Sequence, residues 1–349
     1  MVSGYPQQTI VVYTQTAWSR FWNWIGWLGF IFCGMALIAQ LVLWAEYYDT
    51  TNGIEEKYHS LDKTADDKVA VISVSGVIVE GDGFVKHQID KVRNDKHVKA
   101  VVVRVDSPGG TVTGSDFIFH HLKKLRDEKS LPMVVSMGGM AASGGYYVSM
   151  AVGDKENTIF AEPTCTTGSI GVMIPHYDFS GLMARFDIKD DSLATHERKL
   201  MLSMTRKMSD EDRKLIKAHI DDMFTRFKDI VKEGRPFFKN DPAALDKLAT
   251  GEIFTTTQAI ENKLIDKVGF VEDAIDRAIE LANLDKSKTR VVKYKRQLTL
   301  FEGLSTAEAR HIGSSGAHFD LADLMDMSTP RAWYLTTMLP AIVSTHRAD

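Results

Sequence analysis

Apolar and polar positions change their spacing several times along the chain, and each spacing predicts a different element. Residues 24–45 read WIGWLGFIFCGMALIAQLVLWA, with Gln40 the only strongly polar side chain. A helix of that length crosses a bilayer. Trp22, Trp24 and Trp27 at one end, and Trp44, Tyr47 and Tyr48 at the other, suit the two interfacial belts. The run is longer than a signal-peptide core and shows no clear small-x-small cleavage site, so an uncleaved anchor is expected after an N-terminal segment 1–23. A buried core helix is the other reading of a run this apolar. Arg20 precedes the span, whereas Glu46, Asp49, Glu55 and Glu56 follow it. The positive-inside bias then puts the N-terminus in the cytoplasm and the globular part on the far side.

Residues 46–67 are polar and mixed in charge, and are expected to form a stalk. Beyond them the spacing becomes that of an α/β domain. Residues 69–74 and 100–105 are nearly continuous apolar runs rich in valine, as in strands of a parallel sheet covered on both faces. Residues 75–79 suggest a second short strand, and further strands are expected near 133–136 and 158–161. Helical patterns fall at 85–93, 115–128, 257–263 and 271–282. A long amphipathic helix from Ser209 to about Gly234 presents Ile216, Ile220, Met223, Phe224, Phe227 and Ile230 on one face. Strands and helices that alternate in this way predict repeated βα units with right-handed crossovers. Residues 286–349 differ: 291–294 can form a last strand, and the rest reads as a tail with a docking segment around Trp333-Tyr334-Leu335 and Met338-Leu339.

Composition narrows the function classes. With 42 Lys and Arg against 46 Asp and Glu, the net charge is −4, and no basic stripe marks a nucleic-acid binder. Cys33 and Cys165 are the two cysteines. They form no disulfide framework and have no metal-ligand spacing around them, so no metal and no cofactor are expected.

The chemistry concentrates at strand ends, where α/β proteins place their sites. Met140-Ala141-Ala142-Ser143-Gly144-Gly145-Tyr146-Tyr147 joins a strand to a helix through small residues. It leaves one hydroxyl, Ser143, beside a helix N-terminus with unpaired N–H groups and a positive dipole end. Such a serine suits attack on a carbonyl, and it equally suits a plain N-cap. A nucleophilic serine needs a base. His120, His121, His176 and His196 are available but occupy no triad motif; the other option is a lysine kept neutral by burial.

Three ordered motifs resolve this by resemblance. Asp106-Ser107-Pro108-Gly109-Gly110, the Ser143 stretch and Thr167-Gly168-Ser169-Ile170-Gly171-Val172 together resemble the signal peptide peptidase A family, the membrane-anchored serine–lysine proteases. The resemblance runs from about 68 to 280, with Gly251-Glu252-Ile253-Phe254-Thr255 similar to a late signature. It implies an α/β, crotonase/Clp-protease-like fold of repeated ββα units, with a protease domain at 68–285. It also implies Ser143 as nucleophile, Lys199 as general base, Gly109 and Gly110 as the oxyanion-binding loop, and Ser169 as the residue that orients the lysine. Asp106 and Pro108 are expected to shape the turn. The small residues common before the family's lysine are replaced here by His196-Glu197-Arg198. The resemblance further implies peptide substrates such as signal-peptide remnants, a bacterial-type inner membrane, and a homo-oligomer whose active sites lie between subunits. A non-catalytic scaffold and an acyl-CoA enzyme are the competing readings on the same fold.

Overall fold

The computed structural model describes residues 17–47, 53–296 and 333–335. The chain divides into two units, 1–52 and 53–349. In the first, a single helix α1 (Ala17–Tyr47) has no residue buried across its apolar stretch Arg20–Leu41. That stretch is 22 residues long, or about 33 Å of helix, against about 30 Å for the hydrocarbon core of a bilayer. It starts and ends four residues earlier than the span read from the sequence.

The second unit starts with β1 (Ile54–Leu61), β2 (Asp67–Ser75), α2 (Phe84–Asn94), β3 (Val98–Ser107), β4 (Gly109–Thr111) and α3 (Val112–Lys129). There follow β5 (Met133–Ala142), α4 (Gly144–Ser149), β6 (Ile159–Ala161), β7 (Thr166–Gly168), α5 (Ser180–Arg185) and α6 (Asp210–Gly234). Next are α7 (Phe237–Asn240), α8 (Pro242–Leu248), β8 (Ile253–Thr255), α9 (Thr256–Glu261), β9 (Lys267–Val268), α10 (Val271–Leu281) and β10 (Thr289–Arg296). A short strand β11 (Trp333–Leu335) ends the described chain.

The main sheet runs β1-β10-β2-β3-β5-β6-β9, with β7 paired to β5 and β8. From β10 to β9 the neighbours on this path are parallel. Its two faces explain the valine runs. Val69, Val71, Ala100, Val102 and Val134 pack with Ala274, Ile275 and Ala278 of α10 on one side. Ala70, Ile72, Val101, Val103 and Val135 share the opposite core with Ile118 and Leu122 of α3 and Phe227 and Ile230 of α6. Burial of both faces is what makes successive strand residues apolar.

Three expectations are corrected. The segment expected as a stalk, 46–67, contains β1, which pairs antiparallel with β10. Its sequence IEEKYHSL lacks an apolar face because it is an edge strand, held by main-chain pairing. The last strand, β10, lies between β1 and β2 rather than beyond the domain, so the folded unit extends past 285 and begins before 68. Residues 75–79 form no second strand: Ser75 ends β2, and beyond it only Ile78 makes an isolated parallel bridge, to Gly110. Except for Trp333–Leu335, the tail beyond Arg296 lies outside the described residues.

Candidate active site

Strand β5 ends where α4 begins, and Ser143 is the joint. Its N–H donates to Gly168 O at 2.8 Å, while its own carbonyl accepts from Tyr147 N–H at 2.8 Å. Meeting both bonds forces φ to 53° and ψ to −113°, a left-handed conformation that costs an L-residue about 1–3 kcal/mol. The hydroxyl makes no capping hydrogen bond, so N-capping is not its role. Among the described residues Oγ has no hydrogen-bond partner, although the residue is only 1% exposed. A strained, buried serine with an uncommitted hydroxyl points to function rather than to packing.

The loop opposite is fixed from Ser107. Ser107 Oγ donates to Gly76 O at 2.6 Å and accepts from Gly109 N–H at 3.1 Å. Gly109 is therefore committed, with φ at 102°. Ile78 N–H donates to Gly109 O at 2.8 Å, and Thr111 N–H donates to Ile78 O at 2.7 Å. Alternation along a strand turns the N–H of Gly110 to the other side. No side chain fits at Gly110: a Cβ there would lie 1.8 Å from Ile78 O. A Cβ on Gly144 would lie 3.1 Å from Gly110 N, so the start of α4 and the Gly110 amide are neighbours. Gly144 opens the helix, where an N–H has no partner within the helix. Of the two glycines expected as oxyanion donors, Gly109 spends its N–H on Ser107 Oγ, while Gly110 turns its N–H away from Ile78, to the edge where Tyr334 of β11 stands opposite. Gly144 was not singled out from the sequence, although its place directly after a serine at a helix start was the available signal.

Strand β7 brings a second serine to the same place. Parallel pairing sets Ala142 opposite Gly168, so the next residues, Ser143 and Ser169, leave the sheet side by side. Ser169 is also left-handed, at φ 54°, and its N–H donates to Glu252 O at 2.6 Å. Its hydroxyl likewise has no partner among the described residues, and the residue is buried. Asp106 Oδ1 accepts from Met140 N–H at 3.0 Å, which links the ends of β3 and β5.

Lys199 is not brought to Ser143 within the chain. It sits in a short 3-10 turn, Glu197–Leu200, is exposed, and among the described residues its Nζ forms no hydrogen bond or ion pair. The surrounding segment displays Tyr177, Phe179, Phe186, Ile188 and Leu193 to solvent. The histidines do not reach Ser143 either. His176 Nε2 lies 3.3 Å from Ser203 O, and His196 Nδ1 accepts from Arg198 N–H at 3.2 Å. His120 and His121 line a cleft of about 700 Å³ between α3 and α6. That cleft starts at Val112, directly after β4, and includes Phe117 and Met223. At its wall the Tyr147 hydroxyl donates to Asp116, which also accepts from Arg226 Nη2 at 3.0 Å, tying α4 to α3 and α6. Among the described residues no group of His, Cys, Asp and Glu is arranged to hold a metal ion. Burial pushes the Cys165 thiol up to about 12, which removes it as a nucleophile.

Comparison with known proteins agrees with this arrangement. The profile of peptidase family S49 matches residues 125–285. A relative named for signal peptide peptidase SppA, from Enterococcus faecium, is 31% identical over 77% of this chain and 83% of its own length. Protease 4 of Salmonella typhi is 34% identical over 69% of this chain but only 39% of its own length, so the chain spans well under half of that relative. A protease-named relative from Synechocystis is 34% identical over 64% of this chain and 78% of its own. The sheet flanked by helices is the Clp-protease-like α/β architecture, and the chain is a protease of the serine type. It belongs to peptidase family S49, with relatives of the SppA type.

Proposed function

We propose that the protein is a membrane-anchored serine endopeptidase whose Ser143–Lys199 dyad is completed between neighbouring copies. One observation carries the reading: Ser143 is strained, buried and without a base, while Lys199 stands exposed on a segment rich in exposed apolar side chains. Docking that segment on a second copy buries its apolar side chains. It also desolvates Lys199, and desolvation favours the neutral amine that a general base must be.

In the reaction the neutral Lys199 Nζ of one copy takes the proton of Ser143 Oγ on another as Oγ bonds to the substrate carbonyl carbon. The carbonyl electrons move to oxygen, and the N–H groups of Gly110 and Gly144 hold that oxyanion. Removing one such donor typically costs about 10²–10³ in rate. Collapse breaks the C–N bond, and the protonated Lys199 gives its proton to the leaving amine. Water then attacks the acyl-enzyme with Lys199 as base, releasing the carboxylic acid and restoring Ser143. Ser169, beside Ser143, accepts a hydrogen bond from the ammonium and orients it. The substrates are apolar peptides such as signal-peptide remnants, delivered along the membrane that α1 spans, with the protease unit outside the cytoplasm.

The test is complementation. Ser143→Ala and Lys199→Ala chains are each expected to lose turnover of a fluorogenic apolar peptide. Co-expressed, they are expected to regain it, because about a quarter of randomly paired junctions carry both intact groups. Oligomers of the mixture that stay inactive while wild type turns over would exclude a dyad shared between copies. A folded, oligomeric wild type without turnover on varied apolar peptides would favour a scaffold.

A further inference from the structure

Helix α4 is six residues long, and a helix that short is not stable alone in water. Its direction therefore comes from what its side chains reach. That direction matters for Ser143, whose carbonyl accepts from Tyr147 N–H, one of the two bonds that force its left-handed conformation. Two tyrosines anchor the helix to different neighbours. Tyr146 donates to Leu264 O at 2.8 Å. Tyr147 is fully buried and packs edge to face on Phe119 of α3 and Phe227 of α6, with ring centroids 5.5 and 5.1 Å apart. Its hydroxyl donates to Asp116 Oδ1, which also accepts from Arg226 Nη2.

We propose that Asp116, steadied by Arg226, is a positioning residue: through Tyr147 it holds Ser143 in the conformation from which it reacts. The reaction is the one proposed above, and the restraint rests on the contacts alone. An aromatic side chain is rigid, so fixing its ring and its hydroxyl fixes where its own N–H, and with it the Ser143 carbonyl, can lie. A charged acceptor makes that hold stronger than a neutral one would. Exposure separates this role from a structural one. The Arg226 and Asp116 side chains are 53% and 41% exposed, at the wall of the cleft between α3 and α6. An ion pair so open to water adds little to stability, so a large effect on rate cannot come from unfolding. The fold also carries its own control. Lys123 and Glu233 form a second ion pair between α3 and α6, similarly open to water and with no bond to α4 among the described residues.

The experiment uses the full-length protein in detergent and a fluorogenic apolar peptide. Asp116→Ala and Tyr147→Phe are each expected to lower kcat about tenfold at unchanged KM, since a displacement of reacting groups by about 1 Å can cost about 10²-fold. The double variant should fall no further than either single one, because both break the same link. Asp116→Asn, which keeps an acceptor for Tyr147, should recover most of the rate, and Glu233→Gln should keep the wild-type kcat. The Tm of Asp116→Ala should stay within about 2 °C of wild type. Hydrogen exchange at the Tyr147 amide, followed by mass spectrometry, should speed up in Asp116→Ala, a readout that needs no turnover. Unchanged exchange there overturns the proposal. So does a rise in KM at constant kcat, which would make the pair a contact of substrate, and so does an equal loss of kcat in Glu233→Gln. The protease reading fails separately. A wild type without turnover, whose Tyr147 amide still responds to Asp116→Ala, refutes catalysis and keeps the restraint. An active wild type, matched in kcat and in exchange by Asp116→Ala, does the reverse.

Discussion

Replacing Ser143 by glycine should stabilise the protein while ending its activity, and the structure gives the size of the effect. The serine sits at φ 53° and ψ −113°. For glycine this conformation is the mirror image of an ordinary extended one and carries no Cβ penalty. For serine or alanine it costs about 1–3 kcal/mol. Glycine gives back about 0.5–1 kcal/mol through the greater freedom of its unfolded chain. The hydroxyl makes no hydrogen bond among the described residues, so little else is lost with it. Ser143→Ala, which keeps the strain, should be close to wild type in stability. Ser143→Gly should exceed Ser143→Ala by about 1 kcal/mol, or about 2–4 °C in Tm for a unit of this size. Thermal unfolding of the three proteins in the same detergent measures this, and peptide turnover should be absent from both variants. A glycine variant that melts below the alanine variant would refute the strain argument. An alanine variant with full turnover would refute the role of the hydroxyl.

Other positions give sharp outcomes. Gly110→Ala puts a Cβ 1.8 Å from Ile78 O; it should cost about 2 kcal/mol or more in chemical denaturation and about 100-fold in turnover, because the amide moves with the strand. Arg235 Nη1 pairs with Asp266 at 2.7 Å, and the other oxygen of Asp266 accepts from Thr158 and Ile159 N–H at 2.9 Å. Arg235→Ala should therefore cost about 3 kcal/mol, and a loss below 1 kcal/mol in urea unfolding would show that water replaces the guanidinium. Burial, aided by Lys86, His120 and Arg93, holds His121 below its ordinary 6.5. The unfolded chain then takes up a proton that the folded one resists, so stability should fall as pH drops through 6.5 towards the lowered folded value. His121→Gln should flatten that dependence in melting curves taken across the range.

Much of this was legible because it is local. The valine runs at 69–74 and 100–105 encode strands buried on both faces, whatever their neighbours. Ser209 announces a helix start, and it accepts the capping bond from Asp212 N–H. The apolar stretch near the N-terminus declares its length directly, and the Gly- and Ser-rich strand ends mark where chemistry gathers. Pairing between distant segments was not legible. Strand β1 carries no apolar face, so only its hydrogen bonds to β10, more than 200 residues later, make it a strand. The place of β10 inside the sheet follows from which edge is free, and periodicity does not encode that. The sequence also treats Gly109 and Gly110 alike, and only the fold shows that the Gly109 amide is held by the Ser107 hydroxyl while Gly110 faces the other edge of β4. The strain at Ser143 arises because Gly168 and Tyr147 fix both sides of one residue. Spacing along a chain specifies local conformation and the faces that must be buried. Which edges meet, and which amides are left over, is decided by how the whole sheet closes around them.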